Sequence, residues 1–119
     1  MGEAGSRFDG DAMADAAAAL RSRGEDPYAV AMRRGSLELG FYAPRGVDPQ
    51  GPHDQDEVYV VVAGRGTFFV GDEPNRFGPG DALFVAVGTP HRFEDFTNDL
   101  QVWVIFYGPA GGERVDSSS

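Results

Sequence analysis

The sequence predicts an all-β fold in which short strands are joined by tight turns. Seventeen glycines and eight prolines occur among the 119 residues, which is well above average use. They separate apolar runs that are only a few residues long, and this spacing is typical of strands. We expect a single domain, because a chain of this length can form one core but not two.

The N-terminal part differs in composition from the rest of the chain. Residues 1–10 are small and polar, and we expect them to be disordered. A short helix is predicted over residues 11–23, where Met13, Ala17 and Leu20 recur at helical spacing. Acidic residues early and arginines late in this stretch suit the helix dipole. The helix is expected to pack on the β domain or on a partner.

Strands are predicted where apolar residues alternate with polar ones or run together. The clearest alternation lies in residues 36–43, which should be half-buried. The predicted strands are residues 28–32, 36–43, 58–62, 67–70, 82–87 and 102–107. Residues 71–75 carry turn chemistry, residues 94–99 form a polar loop, and residues 108–119 are expected to be a flexible tail.

Three of these strands are apolar on both faces, namely residues 58–62, 82–87 and 102–107. An antiparallel sheet with one face in water should instead alternate. The predicted helix is too short to cover three strands. We therefore expect a homodimer in which a second copy covers the outer face of a sheet.

Charge and composition exclude several classes of function. Ten basic residues stand against 19 acidic ones, and the net charge of −9 argues against binding to nucleic acid or to anionic membranes. The chain has no cysteine, so thiolate metal sites and cysteine nucleophiles are absent. No apolar run approaches the roughly 20 residues of a membrane helix. A cytoplasmic protein with a small-molecule partner is the default expectation.

Residues 48–66 are the most informative segment. His53 and Glu57 are four positions apart, so on an extended strand their side chains face the same way. Pro49 and Pro52 hold the chain extended just before that point. An imidazole and a carboxylate on one face are suited to binding a metal ion.

This segment resembles the first conserved motif of the cupin superfamily. That motif is a glycine, five residues, His-x-His, three or four residues, a glutamate, six residues and a glycine. His53, Glu57 and Gly64 match its second histidine, its glutamate and its closing glycine. Gly51 stands at the position of the first histidine, so the fourth usual ligand is missing.

The second cupin motif is resembled by residues 80–95. Gly88 and His91 are in register with that motif. Ala86 and Asp95 replace its proline and its asparagine. Three of the four usual metal ligands are therefore retained across the two motifs.

The resemblance implies a double-stranded β-helix, or jelly roll, with a barrel over about residues 28–107. It also implies a divalent ion held by His53, Glu57 and His91. These two histidines are the only ones in the chain. Imidazole and carboxylate ligands suit iron, manganese, nickel, cobalt, copper or zinc, and do not select among them. Two functions stay open: a dioxygenase-like or isomerase-like metalloenzyme acting on a small molecule, and a non-catalytic binding or sensor protein.

Further residues are candidates for the wall of the pocket. They are Gln50, Gln55, Tyr42, Tyr59, Phe93 and Asp95. Gln55 shares the strand parity of His53 and Glu57, although an irregular entry to the strand would turn it to solvent. Gln50 could replace the missing ligand from the preceding loop, and Tyr42, Tyr59 and Asp95 are candidate acid–base groups. An alternative register with Gln55 as a ligand leaves Glu57 too close for the family spacing.

Overall fold

A computed structural model describes residues 27–48, 51 and 53–114, and this part of the chain is all β. Its strands are β1 (Tyr28–Arg34), β2 (Leu37–Tyr42), β3 (Asp56–Ala63), β4 (Gly66–Val70), β5 (Glu73–Phe77), β6 (Ala82–Val85), β7 (His91–Glu94) and β8 (Gln101–Tyr107). The predicted disordered N-terminus and the predicted helix over residues 11–23 lie outside the described residues. In the ranges given above, no helix is long and apolar enough to cross a membrane.

The strands form two antiparallel sheets that face each other. The larger sheet has the order β1-β2-β8-β3-β6, and the smaller has the order β5-β4-β7. Side chains from both sheets meet in one core, with Tyr59 and Val104 from the larger sheet against Phe68 and Phe93 from the smaller. This arrangement confirms the predicted double-stranded β-helix.

The larger sheet has a buried inner face and an apolar outer face. Along β8 buried and partly exposed residues alternate, which places Val102 and Val104 inside and Trp103 and Ile105 outside. Two adjacent rows of residues cross the strands and face outward. One row is Leu39, Ile105, Val58 and Phe84, and the other is Phe41, Trp103, Val60 and Ala82. Phe84 is 55% exposed. The homodimer through this face stays a prediction.

Two strands lie where the sequence pattern did not predict them. β5 occupies most of the predicted turn at residues 71–75, and four of its five residues are exposed. An edge strand that faces water does not show a regular alternation of apolar residues. Such a strand also tolerates Pro74, because an N–H on the outer edge would make no hydrogen bond to a neighbouring strand. β7 is only four residues long and begins at His91. β6 ends at Val85, two residues before the predicted strand end.

The chain after β8 returns to the barrel as far as it is described. The Gly108 N–H donates to Ser36 Oγ at 3.1 Å, and the Glu113 N–H donates to Asp56 Oδ2 at 2.9 Å. The flexible tail was predicted to start at residue 108. In the structure residues 108–113 are instead held against the start of β3, because their backbone donors find acceptors there.

Candidate metal centre

Three candidate ligands come together where the two sheets meet. Glu57 is the second residue of β3 in the larger sheet, and His91 is the first residue of β7 in the smaller sheet. His53 lies just before β3. One ligand atom from each residue can be chosen such that all three lie within 4.8 Å of one another. The three residues predicted as metal ligands are therefore neighbours in the structure.

His53 reaches this cluster from a loop and not from a strand. β3 begins only at Asp56, so the argument that His53 and Glu57 face the same way along one strand is wrong in its geometry. The His53 carbonyl accepts a hydrogen bond from the Gly88 N–H at 2.9 Å. This bond ties the segment that carries His53 to the loop that leads into His91.

Hydrogen bonding fixes which nitrogen of His91 faces the other ligands. Nδ1 lies 2.8 Å from the Thr89 carbonyl oxygen and donates to it, since a carbonyl can only accept. Nε2 is then the unprotonated nitrogen of the neutral ring, and it lies 3.2 Å from Glu57 Oε1. The Tyr59 hydroxyl lies 3.0 Å from the same Nε2 and can donate to it. His91 thus presents a lone pair to the cluster.

Burial changes the proton affinities of the cluster. Glu57 is 1% exposed, and burial raises its pKa to about 7, with a smaller upward contribution from the charge of Asp48. A hydrogen bond from Tyr59 acts in the opposite direction on the pKa of Glu57. Burial, followed by the proximity of His91, lowers the pKa of His53. Both shifts disfavour charge, as expected for groups withdrawn from water.

The donor set fits a metal cation. Within the described part of the chain, His53 Nε2 and Glu57 Oε2 are the buried side-chain atoms that have no hydrogen-bond partner. The cluster therefore holds several acceptors facing one another and few donors, which is costly unless a proton or a metal ion lies among them. Two imidazoles and one carboxylate are also ligand types that divalent first-row metals accept.

Tyr59 and Phe93, two of the residues proposed for the pocket wall, lie close to the cluster. Tyr59 is fully buried beside His91, and its ring packs on Phe93 with 5.1 Å between ring centroids. Tyr42 points elsewhere: its hydroxyl donates to Asp48, whose second oxygen accepts from the Phe93 N–H at 2.8 Å. Asp48 therefore links β2 to β7 beside the site, a role that no sequence pattern indicated.

The remaining predicted pocket residues lie away from the cluster. The Gln55 side-chain amide donates to the carbonyls of Ser36 and Gly108, so of the two alternatives for this residue the irregular strand entry, which turns it away from the pocket, is the one observed. Asp95 is exposed in the loop after β7 and borders a surface cavity of about 360 Å³. Gln50 lies outside the described residues. Gly51 is exposed, with no heavy atom within 4 Å of where its Cβ would be.

Comparisons with known proteins agree with this architecture. A family model described as a cupin domain matches residues 39–106. An uncharacterised protein of Streptomyces coelicolor, SCO3923, is 37% identical over 93 residues, covering 76% of this chain and 89% of that protein. The dimethylsulfoniopropionate lyase DddQ of Ruegeria pomeroyi is 33% identical over 69 residues. Those residues span 56% of this chain but only 34% of the lyase.

Solved structures show the same fold. The DddQ lyase structure superposes with a TM-score of 0.57 at 26% identity, covering 68% of this chain and 46% of that chain. A cupin 2 conserved barrel domain protein from Salinispora arenicola gives a TM-score of 0.59 at 17% identity, covering 68% of this chain and 74% of that chain. The fold, the ligand cluster and the family match over residues 39–106 together make this chain a member of the cupin family.

Proposed function

We propose that this protein binds a divalent transition-metal ion through His53, Glu57 and His91 and catalyses proton-transfer chemistry on a small carboxylate-bearing molecule. An elimination or an isomerisation is the reaction class. The observation that carries the proposal is the cluster of His53, Glu57 and His91, in which His53 Nε2 and Glu57 Oε2 have no hydrogen-bond partner and the Tyr59 hydroxyl lies beside His91. A bound divalent ion supplies a Lewis acid that polarises a substrate oxygen and acidifies the neighbouring C–H bond.

The chain's own residues supply the remaining parts of such a reaction. The bond from His91 Nδ1 to the Thr89 carbonyl holds the imidazole with Nε2 toward the cluster. Tyr59 is the residue that we assign to proton exchange with the substrate, because its ionisable hydroxyl lies beside the proposed ligands, 3.0 Å from that nitrogen. Phe68, Phe93 and Phe106 pack around Tyr59 and the two histidines and limit the access of water.

The similarity to a dimethylsulfoniopropionate lyase supports an elimination in particular. The matched region of 69 residues is shared at 33% identity, although it is about a third of that enzyme's length. In an elimination of this type a base removes the proton next to the carboxylate. The leaving group departs from the adjacent carbon with the bonding electrons, so that a double bond forms and no oxidant is needed.

The metal site is tested first. Purified protein is stripped with a chelator and titrated calorimetrically with Ni²⁺ or Zn²⁺. The wild-type protein should bind one ion, and His53→Ala and His91→Ala should each weaken binding at least about tenfold, or about 1.4 kcal/mol. Asp95→Asn serves as the control, because Asp95 is exposed and outside the cluster. Equal affinity in all four proteins would refute the site.

The reaction is tested by proton exchange. Metal-loaded protein in D₂O is incubated with a panel of small carboxylates that includes dimethylsulfoniopropionate, and NMR follows deuterium uptake at the carbon next to the carboxylate and loss of substrate. Tyr59→Phe should retain metal and lose exchange. Oxygen consumption without exchange would indicate the dioxygenase-like function instead. Tight ligand binding without either would indicate a non-catalytic binding protein.

A further inference from the structure

Hydrogen bonds connect the residues between His53 and Glu57 to the chain that follows β8. The Asp54 carbonyl accepts from the Gly111 N–H at 2.7 Å. The Gln55 side-chain amide donates to the Gly108 carbonyl at 2.8 Å. Both partners belong to residues 108–113, which we name the C-terminal strap. The strap is thus hydrogen-bonded to the short stretch of chain that separates two proposed ligands.

Asp56 is the centre of this arrangement. Its side chain is buried, at 7% exposure, and each of its oxygens accepts one backbone hydrogen bond. Oδ1 accepts from the Val87 N–H at 3.0 Å, and Oδ2 accepts from the Glu113 N–H at 2.9 Å. Val87 lies in the loop that leads to His91. One carboxylate therefore connects the start of β3, the loop before β7 and the strap.

These connections converge on the positions of the ligands. Asp56 is adjacent to Glu57, and the Gly88 N–H, next to Val87, donates to the His53 carbonyl. A shift of the strap would therefore displace both the segment that carries His53 and the loop that leads to His91. Metal binding is sensitive to such supporting bonds, since their loss typically lowers affinity about 10- to 100-fold.

We propose that Asp56 and the C-terminal strap are a positioning device that sets the distance between His53 and Glu57 on one side and His91 on the other. The proposal rests on the proposed metal site for its consequence in binding. The geometric part, that the strap determines where the two imidazoles lie, stands without a metal. Neither Asp56 nor any strap residue contacts the ion in this account.

Gly112 offers a substitution that displaces the strap with one methyl group. A Cβ at this position would lie 2.7 Å from Val87 Cγ1 and 3.2 Å from Asp56 Oδ1, so the strap, the Val87 side chain or both must move. Gly80, in the turn before β6, is the matched control outside the strap. Its φ of +90° is nearly that of Gly112, +91°, but no heavy atom lies within 4 Å of its Cβ position. Gly80→Ala and Gly112→Ala therefore both place an alanine at a positive φ, and only Gly112→Ala presses on Val87 and Asp56.

The first readout is metal affinity, measured by competition with a coloured chelator for Ni²⁺. Gly112→Ala should bind at least about tenfold more weakly than wild type, and Gly80→Ala should stay near wild type, although both should lose thermal stability. Asp56→Asn keeps one acceptor oxygen of two, so its loss of affinity should be smaller than that of Asp56→Ala. Equal affinity in Gly112→Ala and Gly80→Ala would overturn the proposal.

The second readout needs no metal. The chain contains two histidines, so the imidazole proton NMR signals of the chelator-stripped protein report His53 and His91 directly. Gly112→Ala should shift both signals relative to wild type, and Gly80→Ala should shift neither. If the wild type binds no metal but Gly112→Ala still shifts both signals, the positioning role is upheld and the metal function is refuted. Unshifted signals in folded Gly112→Ala would refute the positioning role, whether or not metal binds.

Discussion

The buried pair of Glu57 and His91 sets the behaviour of the site at the scale of single residues. Glu57 Oε1 and His91 Nε2 are 3.2 Å apart and almost fully withdrawn from water. When no metal ion is bound, a proton shared between these two atoms can offset the negative charge of the carboxylate. The metal-free protein should accordingly hold a proton at this site near neutral pH, and metal binding should release it.

The raised pKa of Glu57 predicts a dependence of stability on pH in the metal-free protein. Its pKa rises from 4.5 to about 7 on folding, so between those values the folded state binds a proton that the unfolded chain lacks. The free energy of unfolding must then fall as pH increases across this interval. Glu57→Gln should remove this contribution, because a glutamine cannot ionise.

Urea denaturation at several pH values from 4.5 to 7.5, in the presence of a chelator, measures this difference. The lowered pKa of His53 acts in the opposite direction, since a depressed histidine pKa favours the folded state as pH rises toward 6.5. That contribution is present in both proteins, and the difference between wild type and Glu57→Gln isolates the carboxyl group. Parallel pH profiles for the two proteins would show that Glu57 has an ordinary pKa.

A histidine in place of Gly51 is predicted to increase the affinity for metal. The space around its Cβ position is open and its φ lies outside the left-handed region, so a side chain is tolerated there. Gly51→His restores the first histidine of the cupin motif and should tighten Ni²⁺ binding at least about tenfold by adding a ligand. Calorimetric titration beside a thermal melt measures both quantities, with Gly51→Ala as the control. Unchanged affinity in a normally folded Gly51→His protein would mean that position 51 does not face the ion.

At the scale of elements, the β1–β2 hairpin depends on a glycine inside a strand. Gly40 is in β2 opposite Val30, and the ring of Tyr28 lies directly over it. A Cβ on Gly40 would be 2.3 Å from Tyr28 Cε1. The Tyr28 hydroxyl donates to Glu38 at 2.7 Å, so the ring is held in place from its far end as well. The aromatic face thus fills the space that a side chain would occupy.

Gly40→Ala should destabilise the protein by about 1–3 kcal/mol, because the methyl group must displace the Tyr28 ring. Chemical denaturation measures this loss. Gly51→Ala is the matched control, since neither glycine has a positive φ and only Gly40 is crowded. If the two variants have the same stability, the packing of Tyr28 on Gly40 contributes nothing.

The elements also show which parts of the molecule could be predicted from the sequence. Strands such as β3 and β8 have strong apolar patterns, and the ligand triad follows from motif spacing, so both were predicted. The position of Gln55 was not, because strand parity fails where β3 starts only at Asp56. The bonds of Asp56 to the strap join residues far apart in the chain, and no local pattern encodes such contacts. β5 lacks a hydrophobic period since most of it faces water.

At the scale of the whole molecule, the outer face of the larger sheet has two central rows without charged residues. Those rows cross β2, β8, β3 and β6 and carry apolar side chains only. Phe84 is 55% exposed in these rows, whereas Phe41 is 1% exposed. Exposed apolar residues that cluster on a surface commonly mark protein–protein contacts, and a second copy is the partner that the sequence predicts.

Light scattering at micromolar concentration should report about twice the chain mass of 12.7 kDa. Phe84→Glu should shift the protein toward the monomer, because it places a charge at an exposed large apolar residue of these rows, in the edge strand β6. Val47→Glu is the control: Val47 is also exposed, at 69%, but it lies in the loop after β2 and not on this face. A wild-type mass of one chain at every concentration would exclude the dimer.

The placement of the proposed ligands on both sheets has a consequence for folding. Glu57 is in β3 and His53 lies in the loop just before it, whereas His91 opens β7 in the opposite sheet. A nascent or refolding chain has no tight metal site until the sheets have docked, so capture of the ion must come late. If the folded protein binds an ion as proposed, the geometry of the assembled site and the supply of metal would decide which ion it takes, not the stronger affinity of a flexible chain for copper.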